Sequence, residues 1–302
     1  MKICIFSRSN TIEDEAIKRE SEKRGHECSI INPKSLIFNF SGDLKITTND
    51  GIDLTYFDVF VPRVFSITET IEGKKYKRNS KNLIIKYLLD HDKIFLDKNY
   101  DHKRETQGKI YQLSRFNNFH IPIFPTVFLY RTDKKYIESS LLQAKINPPY
   151  IIKDVAGSKG ENIFKCDSVD EIKDKIEQYN NVYFMIQAFH KIDHDLRILV
   201  LGNRVLGAIE KIHKSGDFKG NISQGADSKI FKLSNELETL ALMTNNILQY
   251  DFTGVDIAIV GNKNYILEVN EVPQFRGFVE TTGLNVALEI VKYLEYLYNT
   301  SL

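Results

Sequence analysis

"GVDIAIVGNKNYILEVNEVPQF", residues 254–275, decides the fold of this chain because it sets carboxylates inside what otherwise reads as two buried strands. Val255, Ile257 and Ile259 flank Asp256, while Ile266, Leu267 and Val269 surround Glu268, with Asn270 two residues on. The expected loop is Gly261-Asn262-Lys263, an odd-numbered turn centred on Asn262. Such a turn sets Asp256 directly opposite Glu268, and Asn270 shares their face because strand side chains alternate. Like charges opposed on a sheet repel, and burying either without a partner costs more. A divalent cation removes both penalties, and an all-oxygen Asp/Glu/Asn set suits Mg²⁺. An even-numbered loop would part the two acids and defeat the metal reading. A solvent-facing hairpin whose acids serve only solubility is the alternative.

The surrounding chain of 302 residues is long enough for about two or three packed lobes. Its apolar content of 42% and charged content of 27% are those of a soluble globular protein. Lys+Arg 41 against Asp+Glu 40 leaves a net charge of +1, so no global field draws in nucleic acid or an anionic membrane. The basic stretch "GKKYKRNSK" (73–81) reads as a solvated loop, with a docking patch for an acidic partner as the alternative. Cys4, Cys28 and Cys166 are odd in number and widely spaced, which points to reduced thiols and a cytoplasmic protein. No run approaches the roughly 18 apolar residues of a membrane span.

"MKICIFS", the capped segment "TIEDEAIKRESEKRG" and "ECSIINP" predict a β-α-β unit over residues 1–33, and "DVFVPRV" (58–64) predicts a strand carrying Arg63. From about residue 98 the texture changes. "HKRETQGKIYQLSRF" is helical, and Pro122 and Pro125 interrupt "HIPIFPT". "PPYIIKDV", "ENIFKC" and "VYFMIQAF" are strands, with a helix before the last, opened by a Ser168/Glu171 capping box. "DLRILVLGNRVLGAIEKI" makes two strands about Gly202-Asn203. Leu237, Leu240, Ala241, Thr244, Ile247 and Leu248 trace one helix face, and a final helix covers roughly 284–298. The fold class is mixed α/β with several antiparallel pairs.

Two further segments suit phosphate. "PYIIKDVAGSKGENIF" (149–164) places Lys153 inside an apolar strand, which needs an anion or a path to an edge. Gly157-Ser158-Lys159-Gly160 follows, a loop able to bring N–H groups to phosphate oxygens, although a plain turn has the same composition. "IEKIHKSGDFKGNISQGA" (209–226) gathers Lys211, Lys214, Lys219 and Asn221 among glycines, as a loop closing over anions would, or as any surface loop. Carboxylates for metal, lysines for phosphate and glycine loops together suggest phosphoryl chemistry on a Mg-nucleotide. GxxxxGK[ST] and an HRD…DFG set are both missing, which excludes a P-loop and argues against a protein kinase.

At this point the sequence resembles the ATP-grasp superfamily, and within it the RimK-type glutamate ligases, over almost the whole chain. The step from Asp256 to Glu268 and on to Asn270 is the most specific match, supported by "IEKIHKSGDFKGNISQGA" and "GFVETTG" in order and spacing. The resemblance implies an ATP-grasp fold of α+β lobes behind an N-terminal Rossmann-like pre-ATP-grasp domain. The implied division is 1–97 for that domain, 98–186 for the central lobe and 187–302 for the C-terminal lobe with the metal site. It also implies an ATP- and Mg²⁺-dependent carboxylate–amine ligase that works through an acyl phosphate, with Mn²⁺ able to substitute. The partners implied are an amino-acid amine donor and a carboxylate-bearing peptide, protein tail or small molecule, in a homodimer or homotetramer.

By position in the family motifs, Asp256, Glu268 and Asn270 are the metal ligands. Lys109, Lys153, Gly157, Ser158 and Gly160 face the phosphates. Gln187, Ala188 and Phe189 form the adenine hinge, and Asp195 is the ribose contact, followed by Arg197. Lys219 and Asn221 face the triphosphate and metal, and Lys211 stabilises the acyl phosphate. Lys stands at 211 and 219 where relatives more often carry Arg, giving a point charge in place of a fork. Val272-Pro273-Gln274 replaces a Ser-Pro-Gly segment, and Arg276 is added near the acceptor site. An ATP-binding sensor or scaffold without turnover is the second hypothesis, and a kinase releasing a stable phosphorylated product is the third.

Overall fold

β1 (Lys2–Phe6) leads to Thr11, whose hydroxyl accepts from the Asp14 N–H while the Asp14 carboxylate accepts from the Thr11 N–H. This reciprocal box opens α1 (Ile12–Lys23). β2 (Glu27–Ile31), β3 (Ile37–Asn39), β4 (Lys45–Thr47), β5 (Val59–Pro62), β6 (Thr68–Ile71), β7 (Lys74–Lys77), α2 (Ser80–Leu89) and β8 (Ile94–Phe95) follow. The chain is described by a computed structural model over residues 1–65, 68–71, 74–77, 80–97, 108–130, 132–155, 157, 162–179, 182–212 and 227–301. The first sheet is parallel, in the order β2-β1-β5-β8, as the predicted β-α-β unit requires. Arg63 lies just past β5 rather than inside it. The basic stretch is no simple loop, since Lys74–Lys77 pairs with Thr68–Ile71 and helix begins at Ser80.

α3 (Lys109–Asn118), β9 (Thr126–Phe128), α4 (Lys134–Gln143), β10 (Tyr150–Asp154), β11 (Ile163–Cys166), α5 (Val169–Gln178) and β12 (Phe184–Ala188) build an antiparallel sheet in the order β11-β10-β12-β9. Ser168 caps α5 through the Glu171 N–H, but the Glu171 carboxylate accepts from Asp167, one residue before the position a full capping box uses. Tyr150, Ile152, Phe184 and Ile186 pack beneath α4 and α5 with Ile137, Leu141 and Ile172. Ile151, Lys153, Met185 and Gln187 therefore share the opposite face.

β13 (His194–Leu201), β14 (Arg204–Lys211), β15 (Ser228–Ile230), α6 (Asn235–Leu248), β16 (Phe252–Val260), β17 (Lys263–Asn270), α7 (Arg276–Thr282) and α8 (Val286–Ser301) form the last third, with sheet order β15-β14-β13-β16-β17. Its back buries Leu196, Ile198, Val255 and Ile257 against Leu237, Ala241 and Leu248 of α6. Its front is divided. Leu199, Leu201, Ile209 and Phe252 join Ile3, Ile5, Val59, Val61 and the apolar stripe of α8 in one core shared with the first sheet. The far end of that front face carries charge instead. α2, α4 and α7 are absent from the sequence-based expectation. α4 has only Ile137 and Leu141 as buried anchors, and Gly277 weakens the helical signal of α7.

Across this shared core, the Asp97 carboxylate accepts the N–H groups of Asp251 and Phe252, which ties the end of the first sheet to the start of β16. Glu295 of α8 accepts two bonds from Arg24, at 2.7 and 2.8 Å, and contacts His26 at 2.7 Å. The Arg24 hydrogen bonds outweigh partial burial and hold the Glu295 carboxyl at about 2, against an ordinary 4.5. A depressed carboxylate stabilises the fold above its unfolded pKa, and that contribution fades as pH falls from about 4.5 toward 2. After solvent screening, Glu295→Gln is expected to cost about 1 kcal/mol at pH 7. Urea midpoints of the two proteins should converge as pH drops to 3.5, and a gap that stays constant would overturn the assignment. Cys4, Cys28 and Cys166 are free and buried, and burial pushes Cys28 up to about 12 and Cys166 to about 11. Among the described residues no helix is long and apolar enough to cross a membrane.

Candidate active site

β16 and β17 meet through the two-residue turn Gly261-Asn262, not the three-residue loop expected. Val260 pairs with Lys263, and Gly261 takes φ +59°. A glycine at positive φ in the first central position lets the turn follow the twist of the strands. Continued unbroken, that register would oppose Asp256 to Leu267. A bulge intervenes: Ile257 pairs with Ile266 and Asp256 with Glu268, leaving Leu267 as the extra residue. The acids therefore face one another despite an even loop, because the bulge restores the lost step. Asn270 Nδ2 lies 3.2 Å from Glu268 Oε1 and 3.5 Å from Asp256 Oδ2.

Asp256 is 3% exposed, and positive charge from β13 and, one strand further on, β14 makes its burial tolerable. Arg197 of β13 stands beside it in register and donates Nε to Oδ1 at 2.7 Å and Nη2 to Oδ2 at 2.6 Å. Lys211 of β14, opposite Asp195, places Nζ 3.0 Å from Asp195 Oδ1 and 3.2 Å from Asp256 Oδ2. Burial by itself would raise the Asp256 carboxyl, but Arg197 and then Lys211 outweigh it and hold the group below its ordinary range. Burial likewise opposes the charge on Arg197 and Lys211, and Asp256 raises both in spite of it. Gly254, two residues before Asp256, makes this packing feasible. A Cβ there would stand 3.1 Å from Pro273 Cβ and 3.5 Å from Arg197 Cδ.

Lys153 approaches from the middle sheet. Burial pushes its ammonium down to about 8, countered by Glu268 and Asp195 of the third sheet, so these groups share one electrostatic environment. The Lys109 ammonium donates to the backbone carbonyls of Asp154 at 2.9 Å and Gly157 at 2.6 Å. Burial lowers it too, against the pull of Glu268 and Asp154. Gly157 sits in a tight turn, where a Cβ would come within 2.8 Å of Asp154 Cβ. Gln187 lies on the Lys153 face and donates to the Thr126 hydroxyl at 2.7 Å, Ala188 pairs with Tyr150, and the Phe189 N–H donates to the Pro149 carbonyl at 2.8 Å. The Lys153 face of the middle sheet and the charged end of the third sheet thus lie within electrostatic reach of one another.

The structure gathers Lys109, Lys153, Gly157, Asp195, Arg197, Lys211, Asp256, Glu268 and Asn270 in one region. Ser158, Gly160, Lys219 and Asn221 lie outside the described residues, as does Lys214. Arg276 pairs at 2.7 Å with Glu280 of its own helix, while its N–H donates to Glu13. Sequence reasoning missed that Arg197 belongs to Asp256, although an arginine inside "LRILVL" poses the same question as Lys153 in its own strand. It also named Arg63 without a role: buried, it donates to Asp14 and to the Pro273 carbonyl, both at 3.2 Å, just past the metal-candidate strand.

The donor set fits a hard cation, since two carboxylates and an amide oxygen can converge on one point. Turning the Asn270 amide end for end presents Oδ1 there in place of Nδ2. Among the described residues no group of three or more His, Cys, Asp or Glu side chains is placed to hold a metal ion.

Comparison with known proteins bears on the same region. A RimK-like ATP-grasp domain is matched over residues 111–294 and a RimK PreATP-grasp domain over residues 1–76. The chain is 27% identical over 300 residues to a probable alpha-L-glutamate ligase of Klebsiella pneumoniae (strain 342), covering 98% of this chain and 96% of the relative. It is 26% identical, with the same coverage, to a ribosomal protein bS6--L-glutamate ligase of Salmonella paratyphi B. The ATP-grasp ligase PsnB, solved with a minimal precursor, Mg and ADP, superposes with a TM-score of 0.74 at 15% identity over 98% of each chain. The macrocyclase MdnC of Microcystis aeruginosa MRC, bound to its precursor peptide, superposes with a TM-score of 0.73 at 14% identity, over 98% of this chain and 100% of that one.

Proposed function

The chain belongs to the RimK-like ATP-grasp family and is a ligase of the ATP-grasp fold, and from that premise we propose that it joins an amino-acid amine to the carboxylate of a peptide or protein tail. The observation that carries this reading is that Lys153 and Lys109 both lie within the electrostatic reach of Glu268, itself beside Asp256 and Asn270. In this reading ATP lies between the middle and third sheets, with its phosphates toward the lysines and its adenine at Gln187–Phe189. A substrate carboxylate oxygen attacks the γ-phosphorus, the bond to the β–γ bridging oxygen breaks, and ADP leaves. The amine then attacks the acyl carbon, phosphate departs with the electrons of the C–O bond, and the amine proton passes to solvent.

Asp256, Glu268 and Asn270 would hold Mg²⁺, which supplies charge neutralisation on the transferring phosphoryl group. Arg197 and Lys211 keep Asp256 ionised and fixed, and Lys211 lends its charge to the oxyanion side. Lys219 and Asn221 belong to the same reading by motif position. The relatives named for glutamate addition and the neighbours solved with precursor peptides support a peptide or protein acceptor.

The test is ADP release, scored against an amino-acid panel with a pool of peptides ending in free carboxylates, followed by mass analysis of the peptides. An increment of one or more amino-acid residues, dependent on ATP and Mg²⁺, is the expected result. Tight ATP binding without turnover on any pair would favour the sensor, and a stable phosphorylated product would favour a kinase.

A further inference from the structure

We infer that Gln112 is a positioning residue that locks the register of the metal-bearing edge strand. This inference rests on the proposed function. Gln112 is on α3, and its carboxamide grips the backbone of Val269 on both sides. Nε2 donates to the Val269 carbonyl at 2.8 Å, and Oε1 accepts from the Val269 N–H at 3.2 Å. Val269 lies between Glu268 and Asn270, two of the three proposed donors.

The need for such a grip follows from topology. Among the described residues β17 is the edge of its sheet, paired along its length by β16 and touched on its free side by a single bridge between Ile123 and Ile266. The bulge at Leu267 is what brings Glu268 opposite Asp256, and without it the turn-proximal register would oppose Leu267 instead. A one-residue slip moves every side chain of a strand to the other face. Edge strands and bulged stretches are where slippage is least opposed by neighbouring pairing. Gln112 acts as a one-residue partner strand beyond the bulge. On its other side, the Ile266 N–H donates to the Pro122 carbonyl at 2.8 Å. The displaced segment is thus pinned at both ends from the same stretch of chain.

Lys109 stands three residues before Gln112, on the same side of α3. Its ammonium holds the Asp154 and Gly157 carbonyls of the middle sheet. One helix face therefore ties the phosphate-side turn to the donor strand, so the two halves of the site are set by a common strut.

Gln112→Met keeps length without the paired bonds, and Gln112→Glu keeps the acceptor while losing the donor. Both are expected to raise the Mg²⁺ concentration for half-maximal ADP release by about tenfold to a hundredfold, with the KM for ATP at saturating Mg²⁺ held. A readout independent of turnover is Mn²⁺ binding to the protein with ADP, followed by electron paramagnetic resonance, which should weaken by the same factor. Hydrogen exchange of the 263–270 amides should quicken while the melting temperature stays close to wild type. Unchanged Mn²⁺ affinity in the variants, with wild type binding normally, overturns the role of Gln112 alone. Parallel losses in kcat, ATP affinity and melting temperature also overturn it, because they describe a general structural defect. Failure of the wild type itself to bind Mn²⁺ with ADP overturns the metal site and this inference with it.

Discussion

Glu268→Gln is expected to lower turnover by about a hundredfold to a thousandfold, the scale for removing one preorganised electrostatic group. The melting temperature should stay near wild type. Glu268 lies on the edge strand and accepts from Asn270, and a neutral amide of the same shape can remain there. Asp256→Asn behaves differently. The sequence suggests that both substitutions spare the fold, but Asp256 is the shared counterion of Arg197 and Lys211. Neutralising it leaves Arg197 and Lys211 buried with Asp195, and for Arg197 also Glu268, as the remaining nearby carboxylates, and breaking a buried pair in this way costs about 3–5 kcal/mol. Turnover and thermal stability should fall together in Asp256→Asn, and turnover alone in Glu268→Gln. A Glu268→Gln enzyme with near-normal rate would remove the metal assignment, and an Asp256→Asn protein as stable as wild type would remove the counterion assignment.

Lys153→Met is expected to weaken ATP binding by about tenfold to a hundredfold, the loss of one charged hydrogen bond to phosphate. The same substitution should stabilise the nucleotide-free protein. Burial lowers Lys153 to about 8 from 10.5, so the folded chain resists its charge below pH 8. For a group with a depressed ammonium pKa the unfolded state holds more protons between those values, and stability rises with pH across that window. At pH 7 the relief from substitution is about 2 kcal/mol, allowing for partial exposure. Phosphate binding favours the ammonium form, so ATP affinity in the wild type should decline as pH rises from 7 to 9. Lys153→Met should flatten that decline. Calorimetric titration with ATP at three pH values, beside urea denaturation at pH 7, reads both signs. A variant that binds ATP as tightly as wild type would exclude Lys153 from the phosphate site.

The candidate site was legible in the sequence wherever charge sat in an apolar run. Lys153 between Ile151 and Val155, and Asp256 among Val255, Ile257 and Ile259, announce themselves because a strand interior tolerates an ion only with a partner. The identity of each partner was not legible. Arg197 and Asp256 are 59 positions apart and meet only because β13 and β16 are neighbours in register. Gln112 carries no signal in its helix, since a polar residue on a helix is ordinary, and its role exists only where β17 runs alongside.

Local pattern by itself marked the long strands, the helices α1, α3, α5, α6 and α8, and the ions that need an explanation, because burial periodicity and capping act over a few neighbouring positions. Tertiary structure decided the geometry of the donors. A two-residue turn and a one-residue bulge cancel, so the acids oppose one another by a route that no count along the chain reveals. The reason is physical: a bulge is selected by what packs on both sides of a strand and what grips its edge, and those contacts come from segments more than a hundred residues away.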